Sequence, residues 1–273
     1  YNTIDEQVRL VAHARDNVGE HAAVGAAVGV TGDYLERASA LWKAGATFLC
    51  IDVAHGHHIL TKEALHKLRL LVGEKFHLMA GNVATLQGIS DLSDWGADSV
   101  RCNIGGGSIC STRIQTGHGL PGLQTIFNCA QTDRDVRIIA DGGIKTSGDM
   151  VKALAAGADA VMCGSLFAGT RETPGEVQRG ADGSVWKTYR GMASKEAQTE
   201  WRGSYSSLEG VSARVPYRGK MGDILNDLIR GIRSGLSYSG ARTIEELHAK
   251  AEFVAQTTSG ASEGRTHILT REW

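Results

Sequence analysis

Six apolar runs recur along the chain, each followed by a stretch that reads with the period of a helix. The runs are Ala22 to Val30, Thr47 to Ala54, Phe76 to Val83, Asp98 to Ile104, Val136 to Ala140 and Ala160 to Gly164. The spacing predicts helices over Asp33 to Ala44, Thr61 to Val72, Thr85 to Trp95 and Ser147 to Ala156, several opened by Asp, Thr or Ser as caps. A further helix, Asp5 to Val18, comes before the first run. Ala44-Gly45-Ala46, Trp95-Gly96-Ala97 and Ala156-Gly157-Ala158 each close a helix, where glycine fits a left-handed C-terminal cap. Strands alternating with helices mean a parallel sheet.

The ends of the strands carry the polar residues: Asp52 with His55-Gly56-His57, Gly81-Asn82, Cys110, Asp141-Gly142-Gly143 and Gly164-Ser165. Convergence at every strand end is the pattern of a (β/α)8 TIM barrel, whose site lies on the C-terminal face. A doubly wound open sheet would gather ligand contacts at a single crevice instead. Six units fall two short of a closed barrel, so the first two βα units are expected to be absent from this sequence. Beyond the sixth unit the periodicity lapses from Arg171 to Arg218, and a segment of that length reads as an active-site lid. Amphipathic helices return at Gly222 to Ser234 and Thr243 to Ala255, and residues 256–273 read as a tail. The whole, 1–273, is expected to be one catalytic barrel domain with 171–218 inserted into it.

Composition narrows the function. Twenty-nine basic against thirty acidic side chains leave a net charge of −1, which gives no overall attraction to nucleic acid or an anionic membrane. Neither is expected as a partner. The five cysteines are odd in number and lack metal-ligand spacing, which suggests reduced thiols and a cytoplasmic protein. No apolar run approaches the length of a membrane span, and no signal-peptide pattern opens the chain.

Gly105 to Arg113, GGGSICSTR, is the stretch richest in chemistry. Glycines at 105, 106 and 107 allow a ligand to approach the main chain, and Cys110 follows among the hydroxyls of Ser108, Ser111 and Thr112. A thiolate there would be a nucleophile; the bland alternative is an inert cysteine buried in a turn. Ser108, Gly142, Gly143, Gly164 and Ser165 could supply amides and hydroxyls to a phosphate, or could be ordinary tight turns. Asp141 could accept two ribose hydroxyls or cap the helix after it. The histidines at 55, 57 and 58 lack a partner spacing for metal. Glu209 lies in the lid segment, where a solvated surface carboxylate is the ordinary case.

Together these pieces resemble the IMP dehydrogenase and GMP reductase family. The resemblance rests on VGAAVGVTGD, IDVAHGHH, AGNVAT, GGGSICSTR, IADGGIKTSGDMVKALAAGADAVMCGSLFAGTRETPGE, YRGMAS and EGVSARVPYRG. It implies a (β/α)8 barrel, a homotetramer and a purine nucleotide monophosphate substrate. By position, Cys110 looks like the nucleophile toward C2 of the purine. Ser108, Gly143, Gly164, Ser165 and Tyr189 look like phosphate contacts, Asp141 like the ribose clamp, and Gly191 and Met192 like neighbours of the base. Asp52 and Asn82 resemble residues lining the nicotinamide and C2 region. The carbonyls of Gly105, Gly107 and Cys110 match a loop that binds potassium in many members, although Gly106 stands where the family usually has proline.

The resemblance leaves two reactions. The dehydrogenase (IMP, NAD and water to XMP) uses an adjacent Arg-Tyr pair on a mobile flap to activate water, and no such pair lies between Met192 and Glu209. The reductase (GMP and NADPH to IMP and ammonia) uses a Thr and a Glu, which Thr112 and Glu209 match. The dehydrogenase also carries nucleotide-sensing domains between its second helix and third strand, whereas Asp5 to Val18 here runs almost directly into Ala22. IADGGIKTSGD and GSLFAGTRETPGE read more like dehydrogenases. On the missing pair, GMP reductase is the expectation and IMP dehydrogenase the alternative. A third reading is a catalytically silent subunit that binds purine nucleotide without turnover.

Overall fold

The computed structural model describes residues 2–19, 21–206 and 208–264. Helix α1 (Ile4–Asn17) opens on a Thr3 capping box with Glu6. Five βα units and a sixth strand follow: β1 (Gly25–Val28), α2 (Tyr34–Lys43), β2 (Phe48–Asp52), α3 (Ile59–Val72), β3 (His77–Val83), α4 (Leu86–Asp94), β4 (Ser99–Cys102), α5 (Thr112–Thr116), α6 (Gly122–Cys129), β5 (Arg137–Asp141), α7 (Ser147–Ala155) and β6 (Ala160–Met162). All six runs hold strands; five are shorter than their apolar stretches, and β5 matches its run in length but is shifted one residue onward to Asp141.

The strands pair in parallel and in chain order, β1 to β6. A doubly wound sheet reverses its order at a switch point, and this one does not. The result is a curled half-barrel. Alternate residues such as Leu49, Ile51, Leu78, Ala80 and Val100 are fully buried. They share one core with Ala38, Leu41, Leu65, Leu68, Ile89 and Leu92 of the covering helices. The other face carries Cys50, Asp52, Arg101 and Asp141, so the strands of one sheet serve both core and site. The β3–β4 register shifts between Gly81 and Val83, at Asn82. Cys102 and Cys129, both fully buried, belong to the core.

Segment 171–218 differs from the expected loop. It holds an antiparallel sheet of β7 (Gln178–Arg179), β8 (Val185–Arg190) and β9 (Ser212–Pro216), with α8 (Lys195–Arg202) between the last two strands. Most side chains of this sheet are exposed or half-buried, so it lacks the clean alternation that announces a strand. Lys187 is its buried centre, 1% exposed, and its ammonium donates to the carbonyls of Thr170 (3.0 Å) and Thr173.

Helix α9 (Met221–Tyr238) packs on α7, with Gly231 and Gly235 against Ser147 and Val151. Helix α10 (Ile244–Lys250) inserts Leu247 beside Leu154. The sequence carries the tenth helix to Ala255, but the structure ends it at Lys250. A short α11 (Thr258–Glu263) lies within the expected tail, whose residues 265–273 fall outside the described ones. Among the described residues no helix is long and apolar enough to cross a membrane.

Candidate active site

The C-terminal ends of β2 to β5 surround a cavity of about 540 Å³, lined by Asp52, Asn82, Arg101, Cys110, Thr112, Asp141, Met192 and Glu209 among others. Cys110 is half-buried at the rim rather than sealed in the core, against the inert-thiol alternative. Its neighbours set it apart from the other four thiols. The Cys110 sulfur lies 3.1 Å from the Thr112 hydroxyl, and that hydroxyl donates to the Glu209 carboxylate at 2.8 Å. A sulfur, a hydroxyl and a carboxylate thus form one hydrogen-bonded chain, able to move a proton to or from whatever the sulfur attacks. Burial pushes the Cys50 thiol up to about 11, and burial also raises Cys163.

Glu209 comes from 97 residues away, and backbone pairing fixes it there. The Ser111 amide donates to the Glu209 carbonyl (3.0 Å), the Val211 amide to the Ile109 carbonyl (2.9 Å), and the Ser111 hydroxyl to the Leu208 carbonyl (2.8 Å). The same strip holds Gly191, whose amide donates to Val211 (3.2 Å), and carries Met192 to the cavity wall. The solvated-surface alternative for Glu209 does not describe this position.

Asp141 accepts from the Asn82 amide at 2.9 Å and lies 3.8 Å from Arg101, whose guanidinium also pairs with Asp52. The alternative of Asp141 as a helix cap fails, because Thr146 caps α7. Asp52, Asn82 and Asp141 are therefore brought together, and the residue that gathers them, Arg101, escaped the sequence reading. Its signal was an arginine set between Val100 and Cys102 in a strand whose four residues are all buried. Burial works against its charge, but the surrounding Cys50, Asp52 and Asp141 hold its pKa above the usual value.

The expected phosphate residues form a second group beside this cavity. The Tyr189 hydroxyl sits over Gly164, where an added Cβ would lie 2.5 Å from it, and hydrogen-bonds Ser108. Burial raises the Tyr189 pKa, with the Ser108 bond opposing. Gly164 opens a turn in which the amides of Phe167 and Ala168 donate to its carbonyl (both 3.1 Å), and Ser165 is the second residue of that turn. Gly142, at φ 88°, packs against the Gly106–Gly107 peptide; Gly143 follows at φ 79°. Ser108 and Gly143 are exposed.

A second cavity of about 550 Å³ opens from the first, sharing Ala54, Ile104, Thr112 and Glu209, and is rimmed by His55, His57 and His118. His57 pairs with Asp91 at 2.8 Å. Burial, then the charges of His57, His58 and His118, lowers the His55 pKa. Among the described residues no group of three His, Cys, Asp or Glu side chains could hold a metal ion.

The model of the IMP dehydrogenase / GMP reductase domain matches residues 3–267. Similar relatives include the inosine-5′-monophosphate dehydrogenases of Nitrosopumilus maritimus (45% identical, 89% of this chain and 54% of the relative) and Aquifex aeolicus (46%, 91% and 53%). A GMP reductase from Trypanosoma brucei in complex with guanosine 5′-monophosphate superposes with a TM-score of 0.85 at 41% identity, over 91% of this chain and 53% of that one. An inosine 5′-monophosphate dehydrogenase from Legionella pneumophila gives 0.82 at 48%, over 95% and 79%. The chain spans about half the length of the curated relatives it matches.

Proposed function

The chain belongs to the IMP dehydrogenase / GMP reductase family, and from that premise we propose that it is an oxidoreductase acting at C2 of a purine nucleotide monophosphate, most specifically a GMP reductase. The chain Cys110–Thr112–Glu209, with Glu209 pinned to the nucleophile loop by backbone pairing, supports thiol chemistry at C2, and the observation that carries the choice of reductase is that no adjacent Arg-Tyr pair lies between Met192 and Glu209.

In this reading the Cys110 sulfur bonds to C2 of GMP while the C2–N bond breaks. The thiol proton passes through Thr112 and Glu209 to the amino group, which leaves as ammonia. The purine stays on Cys110 as a thioimidate. NADPH, held in the second cavity, would supply a hydride to C2; breaking the C2–S bond then releases Cys110 as thiolate, with IMP as product. Asp141 holds the ribose. Ser108, Gly142, Gly143, Gly164, Ser165 and Tyr189 hold the phosphate, and Gly191 and Met192 face the base. Positioning by these groups converts remote binding energy into alignment at C2.

The lining of the second cavity suits a nicotinamide ring: Ala54, Ala84, Ile104 and Leu120 are apolar, and it opens onto Thr112 and Glu209 beside Cys110. Asp52 and Asn82 line the first cavity, and would meet the reactive end of the nicotinamide where it reaches in toward C2. The carbonyls of Gly105, Gly107 and Cys110 are neutral oxygen donors suited to a monovalent cation, potassium, which would order the loop. The proposal includes a complete (β/α)8 barrel and a homotetramer as the working form.

IMP dehydrogenase is the second reading, favoured by the names of the curated relatives. Incubating the chain with GMP plus NADPH and with IMP plus NAD, while following nicotinamide absorbance, separates the two. NADPH consumption with GMP supports the reductase. NADH formation with IMP would transfer the assignment to the dehydrogenase, and silence in both would leave the nucleotide-binding subunit.

A further inference from the structure

Asn103 is the single non-glycine residue with positive φ among the described residues, at 117°, and it is 4% exposed. That conformation costs energy for a residue with a Cβ, so the surroundings must hold it. Its amide donates to Val83 (2.8 Å), and its carbonyl accepts from the Asn82 side chain (2.9 Å). Its side-chain nitrogen donates to the Asp141 carbonyl (2.9 Å), and its side-chain oxygen accepts from Arg113 (2.9 Å). The outlets of β3, β4 and β5 and the first turn of α5 meet on this one residue, its backbone holding β3 and its side chain joining β5 to α5.

Arg113 closes the arrangement. Its Nε donates to the Ile104 carbonyl (2.9 Å), and one terminal nitrogen donates both to Asn103 and to the Leu120 carbonyl. The Gly105–Thr112 loop, which carries Cys110, is thereby tied at its base by a planar charged fork spanning residues 103, 104 and 113. The glycines are shaped to the tie. A Cβ on Gly106 would lie 1.9 Å from the Asn103 amide nitrogen, and one on Gly105 would lie 2.5 Å from Cγ of Arg113.

We infer that Arg113 and Asn103 are positioning residues for the reaction: a staple across the base of the nucleophile loop sets Cys110 against Thr112 and against the Asn82–Asp141 pair. The inference rests on the reading of Cys110 as nucleophile. Neither residue touches the reacting atoms, so their loss acts on alignment and leaves nucleotide binding in place.

The test compares Arg113→Ala, Arg113→Lys and Asn103→Gly with the parent chain. Glycine accepts positive φ without strain, so Asn103→Gly keeps the fold while cutting the tie. Arg113→Ala is expected to lower kcat about a hundredfold, with KM for the nucleotide little changed, as misalignment does. Millimolar guanidinium chloride restores part of that loss. Arg113→Lys stays impaired, since an ammonium lacks the fork. Asn103→Gly is expected to lower kcat about tenfold and to gain nothing from guanidinium. Alkylation of Cys110 by iodoacetamide, mapped by mass spectrometry against Cys163, is read in parallel and needs no turnover. Several-fold faster alkylation in Asn103→Gly supports the staple even where an inactive parent overturns the functional reading. Unchanged kcat and alkylation in Asn103→Gly, or a loss in Arg113→Ala that appears only as a raised KM, overturns the staple.

Discussion

The six-stranded parallel arc and the three-stranded antiparallel sheet of 171–218 meet at one cavity but are held together by different forces. The arc rests on apolar burial: Leu41, Leu49, Ile51, Leu65, Leu68, Leu78 and Val100 are all fully buried. The small sheet rests on polar and aromatic contacts. Lys187 donates to two carbonyls, Trp186 donates to Gln178 (2.8 Å) and lies under Arg214 (4.7 Å), and Arg190 pairs with Glu200. The arc supplies the sulfur and Asp141, and the small sheet delivers the Glu209 carboxylate. A chemically complete site therefore depends on a joint between a well-buried scaffold and a loosely buried one. Elements with little apolar burial open at lower free energy, which suits the part of a site that substrates must pass.

Substitutions can break that comparison in descending order of effect. Cys110→Ala removes the arc's nucleophile and should lower turnover on the order of 10⁴-fold or more while nucleotide binding persists; steady-state rates beside a binding titration check it. Glu209→Gln removes the small sheet's contribution and should cost about a hundredfold or more in ammonia release, with KM for GMP little moved. Lys187→Met strips two buried carbonyls of their donor and should destabilise the protein by about 1–3 kcal/mol in denaturant unfolding. Its effect on KM should exceed that on kcat, because Tyr189 lies two residues along β8.

The smallest expected effect is a pH dependence at His55. Its lowered pKa means that folded His55 binds a proton less readily than the unfolded chain does. The unfolded state then holds more protons in the window below the unperturbed value of about 6.5. The stability His55 contributes is full above that window and is lost as pH falls through it. Melting temperatures of the parent and of His55→Gln should converge on acidification; a gap that widens instead would contradict the assignment.

The arc was legible because its physics is periodic. Strands buried toward helices on one face read as apolar runs, and Thr85 and Thr146 cap α4 and α7 at the predicted helix starts. Cys110, Asp141 and Asn82 could be picked out because they stand at strand ends. The small sheet was illegible because its strands bury few side chains and its key residue, Lys187, is a buried lysine that composition counts as surface. Arg101 and Asn103 were missed for a related reason: each owes its place to partners on neighbouring strands. Glu209 drew notice through family resemblance alone; no local pattern separates it from a surface glutamate until β9 is folded against the nucleophile loop.

The central claim is that Cys110, Thr112 and Glu209 act as one chain to expel ammonia from GMP. Its most direct test is ammonia release from GMP and NADPH by the parent chain and by Glu209→Gln under identical conditions. The account predicts ammonia in step with NADPH consumption in the parent and near-complete loss of both in the variant. Equal release by the two proteins, or NADPH consumption without ammonia, would contradict it.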